Sequence, residues 1–392
     1  MRNDIVYYIW LGGKYPVPSP VISRLIADFG CAKNIYEASE SDFKTLGYLK
    51  AAEIKKLADK NCDTAERIIE KALLNNIDII AIDDKEYPEK LLNIYNPPTV
   101  LYVKGNLNAV SDALSIAVVG ARNPLDTSIS ITDSITRELT RMGTTVISGL
   151  AYGIDSVAHK AALQAGGKTV ALLPCGLDSI YPREHEGLAE FIASSGALVS
   201  EYAPGTRVFK GNFVLRNRII SGLSDGVVIV EAAEKSGTLI TARHAIEQDR
   251  DLFVVPGDVF RYKGSNELLK AGAKPVTQAT DILEEYVYTH ADKIKPIEKK
   301  QNPQRERLIN IITANYESSK EKEEPKAVSS TDLVLDANEK AILSAFEGRE
   351  SLSADKLADK TKLPIGNVIV ALTMLCAKGY LKSNDNNTYF IS

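Results

Sequence analysis

The sequence predicts an α/β protein: a Rossmann-like, doubly wound, mostly parallel sheet, with a small helical N-terminal domain and a C-terminal winged helix. Three observations carry this. Compact apolar runs recur at 115–119, 145–148, 169–173, 198–200, 226–230 and 252–255, as in strands buried on both faces. Helix-spaced segments separate most of them, and such β–α alternation builds a parallel sheet with helices on both sides. The two ends, 1–75 and 335–392, are instead dominated by the 3.6-residue period of helices.

At 392 residues the chain is long enough for two or three domains. Hydrophobic residues make up 44% and charged residues 25%, the balance of a folded protein. The net charge of -4 excludes attraction of nucleic acid to the whole surface and leaves room for a local basic patch. Cys31, Cys62, Cys175 and Cys376 stand alone, so neither a zinc site nor a disulfide framework is expected. The apolar stretch 5–11 is short and broken by Tyr7 and Tyr8, unlike a signal peptide. No apolar run approaches the roughly 18 residues of a membrane helix. A cytoplasmic protein with no membrane partner and no metal is expected.

Within the N-terminal domain, 20–26, 51–57 and 65–74 are helix-spaced. Leu46-Gly47 would suit a helix-hairpin-helix, but a small helical packing domain accounts for one Gly more simply. The sheet domain occupies 76–288. It opens with strands at 77–82 and 101–103, joined by a turn-rich connection through Tyr87-Pro88 and Asn96-Pro97-Pro98. A charged linker follows at 289–334, where 320–326 cannot bury a core and a short helix is possible at 305–314. In the tail, 339–346 is one helix, Ser353 caps a second, and Pro364 leads a third through Val368, Leu372, Leu375 and Cys376. Residues 379–381 and 388–391 flank an Asn-Asp-Asn-Asn turn, completing a winged helix. Its third helix is nearly all apolar, with Lys378 only at its end, which suits protein contact or packing better than base readout.

Sheets of this kind bind ligands at the carboxyl ends of their strands, so the loops there carry the chemistry. Gly120-Ala121-Arg122 follows the first buried strand. Its Gly lets backbone N–H groups approach an anion, and Arg122 offers a planar fork to phosphate oxygens. The G-x-G-x-x-G fingerprint is absent, so no dinucleotide cofactor is indicated. Ser148-Gly149 begins a second glycine-rich loop, ending at Asp155. Asp155 and His159 share a helix face, and capping with a packed His explains them better than a two-residue metal site. Gly166-Gly167-Lys168-Thr169 is no P-loop: Ala162 stands where the first Gly belongs, and a helix leads into a strand. Arg183 lies on the ligand side of the sheet.

The strongest local signal is 206–218, where Arg207, Lys210, Phe213, Arg216, Asn217 and Arg218 occur with no acid among them. Cations tracking phosphates around an aromatic that offers its face to a base suit single strands. The competing explanation places Phe213 in the core and the arginines in salt bridges. Gly237-Thr238 opens another small-residue loop. Several such loops along one sheet edge describe a long anionic groove better than a one-cofactor pocket.

In order and spacing, these loops resemble the DNA processing protein A (DprA/Smf) family. The matching stretches are 119–122, 148–155 with Ala158-His159, 175–178 with Tyr181-Pro182, 200–205, 216–224, 236–242, Val255-Pro256-Gly257 and Gly264-Ser265-Asn266, within about 80–287. The resemblance implies a protein without catalytic activity. It would bind single-stranded DNA with little sequence preference, protect incoming strands in natural transformation, load a RecA-type recombinase, and form a homodimer through the Rossmann-like domain. It implies that Arg122, Arg183 and Lys210 bind phosphates, that Phe213 contacts a base and that Leu269 lies in a dimer interface. Two positions depart from the family pattern: Phe213-Val214 stands where Phe-Pro is usual, and Pro275 stands where the family can place an apolar dimer contact.

Two other classes compete. Rossmann-like nucleotide-phosphoribohydrolases carry a Gly-Gly-x-Gly-Thr loop near a Glu; Glu231 and Gly237-Thr238 echo it without the paired glycines. A protein-binding adaptor would fit the tail but leave 206–218 unexplained.

Overall fold

The computed structural model describes residues 4–111, 113–290, 293–294, 335, 337–346, 351–377, 380–383 and 388–391. The linker features at 305–314 and 320–326, Lys378, Gly379 and the turn at 384–387 lie outside these residues. The chain divides into two units, Met1–Lys300 and Gln301–Ser392.

The first unit begins with six helices: α1 (Ile5–Lys14), α2 (Pro20–Phe29), α3 (Ala32–Glu37), α4 (Glu40–Thr45), α5 (Ala51–Ala58) and α6 (Asp63–Leu74). In α1, Ile5, Tyr8, Ile9 and Trp10 are buried together with Leu11, a helical stripe turned inward. None of these helices is long enough to be stable alone. Their apolar stripes converge on Leu25, Ile35, Phe43 and Leu57, and this core runs on into Ile79, Ala81, Val100, Tyr102 and Leu198 of the sheet. The helical segment therefore shares its core with the sheet, although its composition alone suggests a separate small domain.

Nine strands follow: β1 (Asp78–Ala81), β2 (Val100–Gly105), β3 (Ser115–Val119), β4 (Thr145–Ser148), β5 (Thr169–Leu172), β6 (Ala197–Ser200), β7 (Gly226–Ile229), β8 (Asp251–Val254) and β9 (Lys274–Pro275). They lie side by side in the order β1-β2-β6-β5-β4-β3-β7-β8-β9. All neighbours from β6 to β9 are parallel, while β1–β2 and β2–β6 are antiparallel. Short helices α7 (Glu89–Leu92) and α8 (Asn108–Ser111) flank β2. The crossover helices are α9 (Asp126–Arg141), α10 (Ile154–Gln164), α11 (Glu186–Ser195), α12 (Lys210–Gly222), α13 (Thr238–Glu247) and α14 (Lys263–Lys270), and α15 (Ala279–Leu283) closes the unit. Within β3 the side chains alternate faces as the pleat requires. Ile116 and Val118 join Ile135 of α9 and Ala158 of α10, whereas Ala117 and Val119 join Ile219 of α12 and Ala242 of α13.

The chain lays down β3 to β6 in one direction, then returns to place β7 on the other side of β3. The crossovers after β3 and β7 therefore diverge, and a crevice opens between their carboxyl ends. Helix α12 is fastened across this region by a buried ion pair. Nη2 of Arg218 donates to both oxygens of Glu201, just beyond β6, and each side chain is 6% exposed. Burial raises the Glu201 carboxyl above its ordinary range, and Arg218 opposes that shift.

The second unit contains α16 (Ala337–Ser344), α17 (Ala354–Thr361) and α18 (Ile365–Ala377), with β10 (Leu352–Ser353), β11 (Leu381–Ser383) and β12 (Thr388–Ile391) in the order β10-β12-β11. Ser353 accepts a hydrogen bond from the Lys356 N–H and caps α17, as its position before the helix predicts. Ile342, Leu357, Val368, Leu372 and Leu375 form the core.

His159 is a packed core histidine on α10. Its Nδ1 lies 2.7 Å from Thr169 Oγ1, whose own hydrogen is donated to the Val146 carbonyl, so Nδ1 carries the ring proton. Burial pushes this imidazole down to about 3, with His185 and Arg216 acting in the same direction. The depressed folded pKa means that no stability is lost above the unfolded pKa of about 6.5. Below it the unfolded chain binds a proton that the fold refuses, costing roughly 1.4 kcal/mol per pH unit. Urea midpoints at pH 7 and pH 5 are expected to fall less in His159→Gln than in the parent; equal falls would refute this. Arg218→Met leaves the Glu201 charge buried and is expected to destabilise by roughly 3–5 kcal/mol in urea melts. Adding Glu201→Leu should recover much of that loss.

Candidate nucleic-acid interface

The crevice between β3 and β7 is a cavity of about 560 Å³. Val119 and Gly120 form its floor, and α12 supplies one wall through Lys210, Phe213, Val214, Asn217 and Ile220. The opposite wall is the start of α13, with Gly237, Thr238 and Thr241, while Ala121, Arg122 and Tyr181 complete the lining. The glycine-rich loops are locked to each other. Ile154 N–H donates to the Ala121 carbonyl at 3.1 Å, and Thr238 Oγ1 donates to the Gly120 carbonyl at 3.2 Å. Gly153 adopts φ +74°, and a Cβ there would collide with the Ala121 carbonyl oxygen.

Helix N-termini usually attract carboxylates. Here α12 and α13 have no acid in their first turns; among the described residues the only side-chain cap there is the neutral Ser236 hydroxyl, which accepts from the Thr238 N–H at 3.1 Å. Lys210 instead begins α12 and is exposed. Its charge adds to the positive end of the helix, which favours an anion at this point. Arg122 is also exposed, and its guanidinium lies 5.0 Å from the Phe213 ring centroid. Phe213 in turn meets Tyr181 edge-on, with centroids 5.6 Å apart. Two cations and two rings thus converge on one opening.

The remaining predicted residues divide. Arg216 lines the cavity but is buried beneath it, donating from Nη1 to the carbonyls of Gly149, at 2.8 Å, and Leu172. Burial drags the guanidinium down to about 10, which still leaves it a fixed cation at neutral pH, and the same burial raises Asp155 beneath it. Arg218 faces the opposite way, into its ion pair with Glu201, because it falls on the inward face of α12 with Ile219. For this residue the salt-bridge explanation applies, and it presents no free fork to a phosphate. Ser148 and Gly149 support the site from below: Ser148 Oγ donates to the Val118 carbonyl, and Gly149 N–H donates to Asp155. A side chain at position 149 would meet the Arg216 guanidinium. Asp155 also accepts from the Ala151 N–H, so instead of capping α10 as expected it ties the preceding loop to the first turn of the helix.

Arg183 lies outside this cavity. It lines a second one of about 1110 Å³, with Lys104, Asp178, Glu184, Glu186 and Glu190, and sits 3.5 Å from Glu186. Tyr181 borders both cavities. Sequence reasoning matched Tyr181-Pro182 as a motif without assigning the ring a role, because its pairing with Phe213 is formed only in the fold. Glu231, which the hydrolase alternative would need, is 3% exposed and already engaged. It accepts from Leu125 N–H at 2.9 Å, Ser128 Oγ at 2.6 Å and Arg261 Nε at 3.3 Å. Leu269 is partly buried against the core shared by α12 and α13.

The chain matches the family model of DNA recombination-mediator protein A over residues 78–287. It is 41% identical to DNA processing protein DprA of Bacillus subtilis over 243 residues, covering 62% of this chain and 82% of that protein. It is 31% identical to protein Smf of Synechocystis over 383 residues, 94% of each chain. Among solved structures it is similar to DNA processing protein A from Streptococcus pneumoniae, with a TM-score of 0.63 and 31% identity over 73% of this chain and 98% of that one. A structure of DNA processing protein A from Helicobacter pylori, concerned with that protein's single-stranded DNA binding mode, aligns with a TM-score of 0.50 and 32% identity over 54% of this chain and 97% of that one. With its sheet, its locked glycine loops and these matches taken together, the chain belongs to the DNA recombination-mediator protein A family.

Proposed function

We propose that this chain binds single-stranded DNA in the β3–β7 crevice with little sequence preference, protecting the strand and passing it to a RecA-type recombinase in natural transformation and recombination. One observation carries the reading: exposed Arg122 and Lys210 flank the Phe213 ring at the opening of a cavity bordered by two helix N-termini with no acid in their first turns. Phosphates suit the cations and N–H groups, and a base suits the ring. The buried Arg216 charge adds to the attraction without touching the strand, since a charge held in low dielectric is weakly screened. In this reading the chain acts by binding, not catalysis, because the Glu231 oxygens are taken up by loop contacts.

The rest of the reading follows the same logic. The protein works in the cytoplasm as a homodimer with Leu269 near its interface, and among the described residues no helix is long and apolar enough to cross a membrane. The second unit is a winged helix. Exposed Ile365, Ile369, Val370 and Met374 on α18 favour protein contact over base reading. The six N-terminal helices serve as a helical domain packed beside the sheet.

Binding of oligothymidylate should weaken with salt at a log–log slope of about -0.7 per phosphate neutralised. Arg122→Ala and Lys210→Ala should each lower affinity and flatten that slope. Phe213→Ala should cost roughly 1–3 kcal/mol while leaving the slope unchanged. Arg183→Ala, already paired with Glu186, should have a smaller effect than either cation at the first cavity. Parent-like binding by both Arg122→Ala and Lys210→Ala would refute the assignment. Release of free base from nucleoside monophosphates without DNA affinity would favour the hydrolase.

A further inference from the structure

The loop at 256–261 follows β8, so it stands on the same carboxyl rim of the sheet as the crevice. It holds two of the exposed apolar side chains of this unit, Phe260 at 81% and Val259 at 68%. Isolated exposed apolar residues are ordinary, and Tyr95 and Tyr288 are equally bare. Phe260 differs in how its backbone is held. The Asp258 carboxylate accepts from the N–H groups of Phe260, at 2.9 Å, and Arg261, at 2.8 Å. That consumes the nearest acid and fixes the turn. Arg261 Nη2 then donates to the Asn123 carbonyl at 3.2 Å, and its Nε donates to Glu231. Through Leu125 and Ser128, Glu231 grips the far end of the Arg122 loop.

Two contacts joined by the backbone therefore lead out of the cavity: Phe213 meets Arg122, whose chain neighbour Asn123 accepts from Arg261, the residue that follows Phe260. An aromatic ring stands at each end of this path, Phe213 in the cavity and Phe260 outside, with Arg122 and Arg261 between them, and the exposed Lys263 lies just beyond. We infer that the 256–261 loop is a second stacking station, where a strand leaving the crevice over Arg122 lays a base on Phe260. This rests on the proposed single-strand reading and extends it to one side of the cavity. Glu231 acts in it as a positioning residue, holding the two loops in register. A ring on a prefixed turn loses little freedom when a base covers it. Stacking is tolerant of base identity, so the station lengthens the footprint without adding sequence preference.

The test uses the full chain and oligothymidylates of increasing length, from roughly 4 to roughly 16 nucleotides, the span over which single-strand grooves fill. Phe260→Ala should bind the shortest oligomers like the parent and the longest about tenfold more weakly. Lys210→Ala should weaken every length. Phe260→Trp should restore long-oligomer affinity, and its fluorescence should be quenched by long but not short strands. The chain's one native tryptophan, Trp10, is buried among the N-terminal helices and gives a steady background. If Lys210→Ala weakens binding but Phe260→Ala matches the parent at every length, the station is refuted while the groove stands. If neither variant weakens binding and Arg122→Ala is also parent-like, the groove itself falls. A Phe260→Ala variant that changes oligomeric state with unaltered DNA affinity would make the loop a contact between copies, and the inference would fail.

Discussion

A buried cation holds the site together. Arg216 reaches from α12 to the carbonyls of Gly149, beyond β4, and Leu172, at the end of β5. These carbonyls would otherwise end in a loop-lined cavity. Binding them to a guanidinium satisfies them and pins α12 across the strand ends. Such a charge is costly to bury alone. Asp155 stands below it as partial compensation, itself raised by burial. The absence of a Cβ at Gly149 provides the space for this arrangement. The position of Lys210 and Phe213 depends on it, since both ride on the helix that Arg216 anchors.

This division of labour reconciles a net charge of -4 with the proposed affinity for a polyanion. The chain does not coat itself in lysine. It omits acids from two helix starts, sets exposed cations at one of them and beside the opening, and buries a third cation under the floor. Fields focused in a cleft act over a Debye length of roughly 8–10 Å. Acids elsewhere, including those around the second cavity, then cost little at the first. For a strand bound as proposed, they disfavour the second cavity as a path for phosphates and favour a route over Arg122.

Much of this was legible in the sequence because buried parallel strands are short and apolar. Runs such as 115–119 and 145–148 coincide with β3 and β4. The glycine loops lie on the carboxyl rim of the sheet, as their places after strands predict, and Arg122, Lys210, Phe213, Gly237 and Thr238 do meet at one opening. What the sequence could not convey was side-chain direction on α12. Arg216 and Arg218 are two residues apart in one basic run, yet one points beneath the cavity and the other into a buried pair with Glu201. Composition does not distinguish a cation that meets solvent from one that meets a carboxylate distant in the chain. The antiparallel edge formed by β1 and β2, and the two-residue β9, also escaped notice, since pairing direction leaves no mark on so short an apolar run.

The sheet's far border has a consequence for self-association. β9 is only two residues long and one of them, Pro275, has no N–H to offer. Exposed borders normally invite a neighbouring chain to extend the ladder, and a stub ending in proline withdraws that invitation. Two copies meeting on this side cannot form a continuous eighteen-strand ribbon or grow into a fibre by strand addition. Under the proposed homodimer, copies meeting on this side would join through side chains and not through a shared ladder.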